Sequence, residues 1–153
     1  MPDIAALREK ALSVLNQFAW FPPLLARVTT GWVFVESGWG KLHNLDKVTE
    51  FFQSLGIPAA ELQAPFVATT EFVGGLLVLV GLLTRLASVP LAATMVVAII
   101  TAKASDITAF SDIFGLSEFL YIVLFIWLIV AGPGAVSVDH FLARRLPQLA
   151  KRA

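Results

Sequence analysis

The segment APFVATTEFVGGLLVLVGLLTRL, residues 64–86, determines the fold of this chain, because nearly every position is apolar or small. It nevertheless carries one carboxylate, Glu71, in the middle of the run. Removing a carboxylate from water is unfavourable unless the charge is paired and hydrogen-bonded. The surroundings of this segment, whether water, protein or lipid, therefore decide what Glu71 can do.

The composition of the whole chain is that of a membrane protein. Of its 153 residues, 58% are hydrophobic and 14% are charged, and the mean hydropathy is +0.81. Soluble domains are about half apolar and a quarter charged.

The length suits one domain over residues 1–153. Equal numbers of acidic and basic residues leave no net charge, which argues against a nucleic-acid partner. The absence of cysteine excludes disulfides, thiolate metal sites and iron–sulfur clusters.

Four segments are apolar enough to cross a bilayer, for which a helix needs about 20 predominantly apolar residues. They cover residues 22–42, 63–83, 86–102 and 113–132. The third is the shortest, and Pro90 falls in its predicted first turn, where the missing N–H is tolerated. Four such segments leave too little polar chain to cover them in water. We therefore expect an all-α fold, a bundle of four transmembrane helices.

Three further stretches have the pattern of amphipathic helices that lie at a membrane surface. Residues 1–19 and 46–58 place apolar side chains at helical spacing, with charges opposite. The aromatic pair Phe51 and Phe52 belongs to the second stretch and is interpreted as lipid-facing or core rather than as a cofactor stack. After the fourth span, Ser137 is the predicted N-cap of a short helix that begins the basic tail, residues 137–153.

The distribution of basic residues near the span ends predicts the orientation in the membrane. Eight lie in the termini and the second connection, and three lie in the first and third connections. The first group is Arg8, Lys10, Arg27, Arg85, Arg144, Arg145, Lys151 and Arg152, and the second is Lys41, Lys47 and Lys103. We expect a multi-pass protein of the bacterial cytoplasmic (inner) membrane with both termini in the cytoplasm.

Three carboxylates fall inside the predicted spans at similar depth. Counted at 1.5 Å per residue, Glu36, Glu71 and Glu118 lie about 8 to 12 Å below the outer surface. Lys41 and Lys103 lie at or near that surface. A charge deep in lipid costs about 2.5 to 3.5 kcal/mol, so such groups face the bundle interior and pair. We expect these side chains to form a ligand-binding pocket in the outer leaflet.

Helical spacing adds detail to this pocket. Glu71 shares a face with Gly74 and Gly75, whose small size lets a neighbouring helix approach closely. Tyr121 lies on the face of Glu118, so a phenol joins the candidate ligand-binding residues there.

Glu36 points the opposite way, together with the ring-bearing residues Trp32, Trp39 and His43. Glu36 therefore lies in a separate groove or faces a partner subunit.

At the inner end, Arg27, Arg85 and Asp139 gather and are interpreted as structural charge pairs. Buried ion pairs of this kind can fix helix register without contacting a ligand, so a structural role stays open for the outer carboxylates as well. His43 and His140 lie on opposite sides of the predicted membrane and cannot jointly ligate a haem or a metal. No metal site is expected.

With these motifs, the chain resembles the DoxX family of small four-helix membrane proteins. The similarity runs over almost the whole chain after the N-terminal helix, through RVTTGWVFVESGWGKL, FFQSLGIP, EFVGGLLVLVGLLTRL, MVVAIITAK and GPGAVSVD. The resemblance implies a four-helix membrane bundle. Some relatives are described as membrane subunits of thiosulfate–quinone oxidoreductases, and others as partners of oxidative-stress and sulfur-handling enzymes. Because activities differ among members, the resemblance implies architecture more directly than chemistry.

Three functions fit these observations. The first is a redox-associated membrane subunit that presents a quinone or small sulfur compound to a partner. Its head-group ligands would be Glu71, Glu118, Tyr121 and Lys41, and its pocket would be lined by Phe34, Val67 and Phe125. The second is a non-catalytic membrane module that binds a small molecule or docks other proteins. The third, a small transporter, ranks last because no span has a midplane glycine–proline break.

No cofactor is intrinsic to the chain, and a bound quinone is the candidate. The expected partners are the bilayer and either a redox subunit or a homo-oligomer. Whether the protein is an enzyme stays open.

Overall fold

The computed structural model describes residues 4–145, and its regular structure in this range is entirely helical, with no strand. The α-helices are α1 (Ile4–Gln17), α2 (Phe21–Leu42), α3 (Leu45–Ser54), α4 (Ala60–Val80), α5 (Thr84–Thr101), α6 (Ser117–Ala131) and α7 (Val138–Arg145). Two 3-10 helices, Ala104–Asp106 and Phe110–Gly115, connect α5 to α6. Residues 1–3 and 146–153 lie outside the described residues, and with them Lys151 and Arg152 of the predicted basic tail.

Helices α2 and α4 pack closely because glycines lie where they cross. A Cβ atom at Gly31 would lie 2.7 Å from the Cα of Leu79, and one at Gly75 would lie 2.7 Å from the backbone nitrogen of Val35. Real Cβ atoms essentially never come this close to another atom, so a larger residue would force the helices apart. The buried side of α4 includes Glu71, as helical spacing predicts.

Helix α6 completes the bundle by packing on α2 and α5. The ring of Phe125 in α6 is fully buried and meets the ring of Phe34 in α2 edge-on, with centroids 5.0 Å apart. Leu91 of α5 and Leu128 of α6 are fully buried in the same core. Such edge-to-face ring pairs add about 0.5–1.5 kcal/mol to the stabilisation from buried area. This core fixes the position of α2.

Helix α5 begins two residues earlier than the sequence predicts, at Thr84. The carboxylate of Asp139 accepts the backbone N–H groups of Leu83 at 2.9 Å and Thr84 at 3.3 Å, which satisfies donors that open the helix. Pro90 consequently lies inside α5, and the prediction that it belongs to the first turn is wrong. Because proline has no N–H, the carbonyl oxygen of Leu86 lacks its usual helical partner.

The three amphipathic stretches are helical where the structure describes them. α1 buries none of its residues, and α3 packs against α4. Ser137 caps α7 as predicted, because its hydroxyl oxygen accepts the backbone N–H of His140 at 3.1 Å.

Within residues 4–145, α4 and α5 are the helices whose length and composition suffice to cross a membrane. α2 has 22 residues, but its charged residues Arg27, Glu36 and Lys41 lower its hydropathy. α6 has 15 residues, which span about 22 Å, against a hydrocarbon core of about 30 Å. The predicted all-helical fold class is confirmed for this range, whereas the arrangement of four spans stays a prediction.

Candidate functional site

Glu71 lies on the side of α4 that faces α2, and both of its carboxylate oxygens accept a hydrogen bond. Ser37 donates its hydroxyl to one oxygen at 2.8 Å, and the ammonium group of Lys41 donates to the other at 2.5 Å. Glu71 is 1% exposed, whereas the side chain of Lys41 is 30% exposed. The buried charge is therefore paired and hydrogen-bonded, which is the condition under which proteins tolerate one.

The local sequence explains how these three side chains meet. Ser37 and Lys41 are four residues apart on α2 and lie one above the other on the same helical face. Between them, Gly38 has no side chain, and a Cβ atom there would meet the backbone of Phe72. Because Phe72 directly follows Glu71, the close contact at Gly38 brings the Glu71 carboxylate within reach of both donors.

A cavity of 590 Å³ lies beside the Lys41–Glu71 pair, between α3, α4 and α5. Sites for small molecules usually have volumes of about 300–1,000 Å³. Both members of the ion pair line this cavity. Most of the other lining side chains are apolar, and they include Phe51, Phe52, Phe66, Val67, Met95 and Ala98.

The polar groups of the cavity differ in what they can offer a ligand. Thr94 and Thr101 also line it, but each hydroxyl donates to a backbone carbonyl of α5 at 2.8 Å, which leaves only acceptor lone pairs. An ammonium group has three N–H donors, and Glu71 takes one of those of Lys41. Lys41 thus keeps donors for a ligand, and the oxygens of Glu71 keep acceptor lone pairs.

The cavity opens onto the outer surface of the helices. Phe51 is 51% exposed, Phe66 is 67% exposed and Val97 is 49% exposed, although all three line the cavity. The site can therefore hold a polar group at the Lys41–Glu71 pair while an attached apolar chain leaves between the helices. This is the geometry of a binding site for an amphipathic small molecule.

The structure places Glu118 and Tyr121 away from this cavity. Glu118 lies in the first turn of α6, is half-buried, and accepts a hydrogen bond from the Ser117 hydroxyl at 3.2 Å. The ring of Tyr121 packs edge-on against Phe34, with centroids 5.5 Å apart. Neither residue lines the cavity, because α6 turns this face toward α2 and the cavity lies between α3, α4 and α5. The structure thus does not bring the two carboxylates, Glu71 and Glu118, to one cavity.

Lys103 and Glu36 also lie outside the cavity. The ammonium group of Lys103 pairs with Asp106 at 3.3 Å on the surface beyond α5. Glu36 is exposed on the side of α2 that faces away from α4, as its helical position predicts.

At the predicted inner end, Arg27 and Asp139 hydrogen-bond to backbone groups rather than to each other. The guanidinium of Arg27 donates to the carbonyl oxygens of Pro133 at 2.8 Å and Val136 at 2.7 Å, whereas Asp139 caps α5. Across residues 4–145, no ion pair within 4.0 Å joins Arg27 or Arg85 to Asp139. The charge of Asp139 nevertheless acts on Arg27, so the structural charge pairs of Arg27, Arg85 and Asp139 stay a prediction. Arg27 is hydrogen-bonded to carbonyl oxygens of the loop between α6 and α7, and Asp139 to N–H groups at the start of α5.

Sequence reasoning missed two parts of the site. Ser37 is the second donor to Glu71, and its position four residues before Lys41 on the same face is the signal that could have identified it. Phe51 and Phe52 form part of the cavity wall. Of the three residues predicted to line the pocket, Val67 lines the cavity, whereas Phe34 and Phe125 lie in the core.

Comparisons with known proteins place these features in a family. The profile of the DoxX family matches residues 23–104. The protein named "Putative oxidoreductase CatD" of Bacillus subtilis (strain 168) is 36% identical over 120 residues, which cover 77% of this chain and 84% of that protein. "Inner membrane protein YqjF" of Escherichia coli (strain K12) is 30% identical over 132 residues, 80% of this chain and 92% of the relative. "Uncharacterized membrane protein Rv3486" of Mycobacterium tuberculosis is 35% identical over 140 residues, 81% and 84% of the two chains. No solved structure matches the chain.

Proposed function

Since this chain belongs to the DoxX family of membrane proteins, we propose that it binds a quinone in the cavity beside Lys41 and Glu71 and serves as the membrane subunit of a redox system. In this proposal α2, α4, α5 and α6 cross the bacterial inner membrane. Both chain termini lie in the cytoplasm, on the side of Arg144 and Arg145. The name of the Escherichia coli relative, an inner membrane protein, supports this location.

The observation that carries the proposal is a partly exposed lysine side chain and a buried carboxylate at the wall of a largely apolar cavity. A quinone ring presents carbonyl oxygens, which accept hydrogen bonds, and Lys41 keeps N–H donors for them. The reduced form presents hydroxyl groups, which can donate to the remaining lone pairs of Glu71. One ion pair can therefore hold either redox form of the ring.

The apolar lining suits the remainder of a quinone. The aromatic side chains Phe51 and Phe52 of α3 and the thioether of Met95 of α5 line the cavity and can pack on a flat ring and its first tail segment. The exposed edge of the cavity at Phe66 and Val97 lets a longer tail continue into lipid. The volume of 590 Å³ would thus enclose the head group rather than the whole molecule.

The redox role depends on a partner. The Bacillus subtilis relative is named a putative oxidoreductase, which supports a redox link. This chain has no cysteine, so electrons would reach the quinone from a second subunit and not from a thiol or an iron–sulfur cluster here. Glu71 and Lys41 would bind and orient the head group while the partner supplies the electrons.

The test is extraction of quinone from the purified full-length protein, followed by mass spectrometry. We expect a stoichiometric amount from the wild type. Lys41→Met should retain about tenfold less, which corresponds to the loss of about 1.4 kcal/mol of binding free energy. Glu61→Gln is the control for a charge removed outside the cavity, because Glu61 lies in the first turn of α4, is exposed and does not line the cavity. Equal quinone in wild type and Lys41→Met, with both variants folded, would contradict the proposal.

A second candidate is a docking module without a ligand, favoured by the exposed helices α1 and α7. In that case removal of residues 138–153 would abolish recovery of co-purifying proteins, and Glu71→Gln would leave recovery unchanged. The quinone proposal predicts instead that Glu71→Gln lowers the amount of bound quinone and that removal of residues 138–153 leaves it unchanged. The two candidates are therefore separated by the same set of variants.

A further inference from the structure

One side of α2 faces away from the bundle along the whole helix. Its members are all exposed, and they are Leu25, Val28, Thr29, Trp32, Glu36, Trp39, Gly40 and His43. We call these residues the outer face of α2. An exposed apolar face is expected of a helix in lipid, but Glu36 is not an apolar residue. It lies six residues before the end of α2, about 9 Å along the helix axis.

Glu36 has no hydrogen bond or ion pair within residues 4–145, unlike Glu71 in the neighbouring helix. A carboxylate at this depth in a bilayer faces a protein partner rather than acyl chains. Whatever covers Glu36 must therefore supply a hydrogen-bond donor at the same depth.

Gly40, one turn from Glu36 on the same face, provides an independent observation. Gly31 and Gly38 of α2 and Gly74 and Gly75 of α4 are each explained by a neighbouring helix, which would clash with a larger side chain. A Cβ atom at Gly40 would meet nothing within 4 Å. Glycine destabilises a helix relative to alanine, and no contact among the described residues, 4–145, requires a glycine at this position. A glycine on an open helix face is what close approach of another helix requires.

From these two observations we propose that the outer face of α2 binds the same face of a second copy of this chain, related by a two-fold axis. The helices would cross at Gly40. The inference rests on the membrane placement of α2 proposed above, but not on the identity of the ligand. It goes beyond the quinone site, which lies on the other side of α2.

The outer face is complementary to itself, which favours a second copy over a different protein. Trp32 and Trp39 each carry an indole N–H, for which residues 4–145 provide no hydrogen-bond partner, and they flank Glu36 by about one helical turn on either side. In a two-fold contact, residue i meets residue j and residue j meets residue i. The carboxylate of Glu36 can then accept an indole N–H from Trp39 of the partner subunit, and the reciprocal bond forms at the same time.

The ring of Trp39 is already held in place for such a contact. It contacts the ring of Phe72 of α4 at a centroid distance of 5.5 Å, a contact that the substitution His43→Cys used below leaves in place. Less conformational freedom is lost on binding when a side chain is fixed beforehand. Trp39 is thus a rigid aromatic anchor beside an open glycine.

The chain contains no cysteine, so single introduced cysteines report contacts without background. The experiment is oxidative disulfide cross-linking of His43→Cys in native membranes at low expression. The control is Ile100→Cys, because Ile100 is 68% exposed, lies near the corresponding end of α5, and faces away from α2. We expect a covalent dimer of this chain from His43→Cys and at least about tenfold less from Ile100→Cys, since a disulfide requires Cα atoms about 5.5–6 Å apart.

Two further substitutions test the cause of the contact. Gly40→Leu and Glu36→Ala, each added to His43→Cys, should reduce the dimer about tenfold, the change expected for losing two interhelical hydrogen bonds. Both positions are exposed, so the fold and the quinone content should be retained.

Equal cross-linking at positions 43 and 100, or disulfides from position 43 to a different protein, would overturn the proposal. Labelling of Thr29→Cys by a water-soluble maleimide would instead show that α2 lies outside the bilayer, which contradicts the membrane placement itself.

Discussion

The close contact between α2 and α4 predicts that the substitution Gly75→Ala lowers the free energy of unfolding. The new Cβ atom would lie 2.7 Å from the backbone nitrogen of Val35 and 3.0 Å from the carbonyl oxygen of Gly31. Ordinary van der Waals contacts of a Cβ atom begin at about 3.4 Å, so the two helices must separate by several tenths of an ångström. Overpacking of this kind costs about 1–3 kcal/mol, and alanine recovers about 0.8–1.0 kcal/mol through its helix propensity. The net expectation is a loss of between about 0 and 2 kcal/mol, with a central value of about 1 kcal/mol.

Gly40→Ala is the matched control, because the same chemical change on α2 meets no atom within 4 Å. Measured in dilute detergent, where each chain is alone, it should raise the free energy of unfolding by about 0.5–1 kcal/mol. The assay is reversible unfolding by dodecyl sulfate in mixed micelles, followed by circular dichroism. Equal stabilisation by both substitutions would refute the account of the helix contact. Because Gly75 lies one turn from Glu71, Gly75→Ala should also reduce the bound quinone, and Gly40→Ala should not.

Two other predictions concern the segments that flank the bundle. Ser137→Ala removes the N-cap of α7 and should cost about 1 kcal/mol, seen as faster hydrogen exchange at the backbone amide of His140; unchanged exchange would contradict the capping role. Backbone N–H groups of Ala109 and Thr108 donate to Asp112 and hold the pKa of its carboxyl below the ordinary value of 3.8. Because the folded-state pKa is lowered, the stabilisation is complete above the unfolded pKa and is lost as pH falls through the folded pKa. Proteolysis of this loop should accelerate below pH 3.8 in the wild type, whereas Asp112→Asn should be cleaved faster at neutral pH and lack the acid-dependent step.

Periodicity predicted the buried faces of the central helices correctly. Glu71 faces α2 and Glu36 faces away from α4, because the 3.6-residue repeat fixes the direction of a side chain once the helix exists. Gly74 and Gly75 of α4 predicted close packing for the same reason. The direction of a side chain depends on its own helix alone, and a close contact between two helices is indicated by small residues in their sequences.

Helical periodicity did not predict which other helices surround Glu71. A shared depth for Glu71 and Glu118 does not fix the rotation of α6, which turns its Tyr121 face onto Phe34. The cavity instead uses α3, which looks like a surface helix in the sequence because its polar and apolar faces are separate. The apolar face of α3 covers the cavity beside α4 and α5. Nor did the sequence show that Arg27 binds carbonyl oxygens of the loop between α6 and α7, since the direction of loop carbonyl groups is not visible in residue types.

The most direct measurement is photolabelling of the reconstituted protein with an azido-substituted short-chain quinone, with the labelled peptides mapped by mass spectrometry. We predict labels within residues 41–57 and 63–102, the two ranges that contain the lining residues of the cavity. These labels should be lost when an excess of the unlabelled quinone is present. Lys41→Met should abolish this displaceable labelling, and Glu61→Gln should leave it intact. Displaceable labels confined to α1 or α6, or labelling that Lys41→Met does not change, would contradict a quinone site at the Lys41–Glu71 pair.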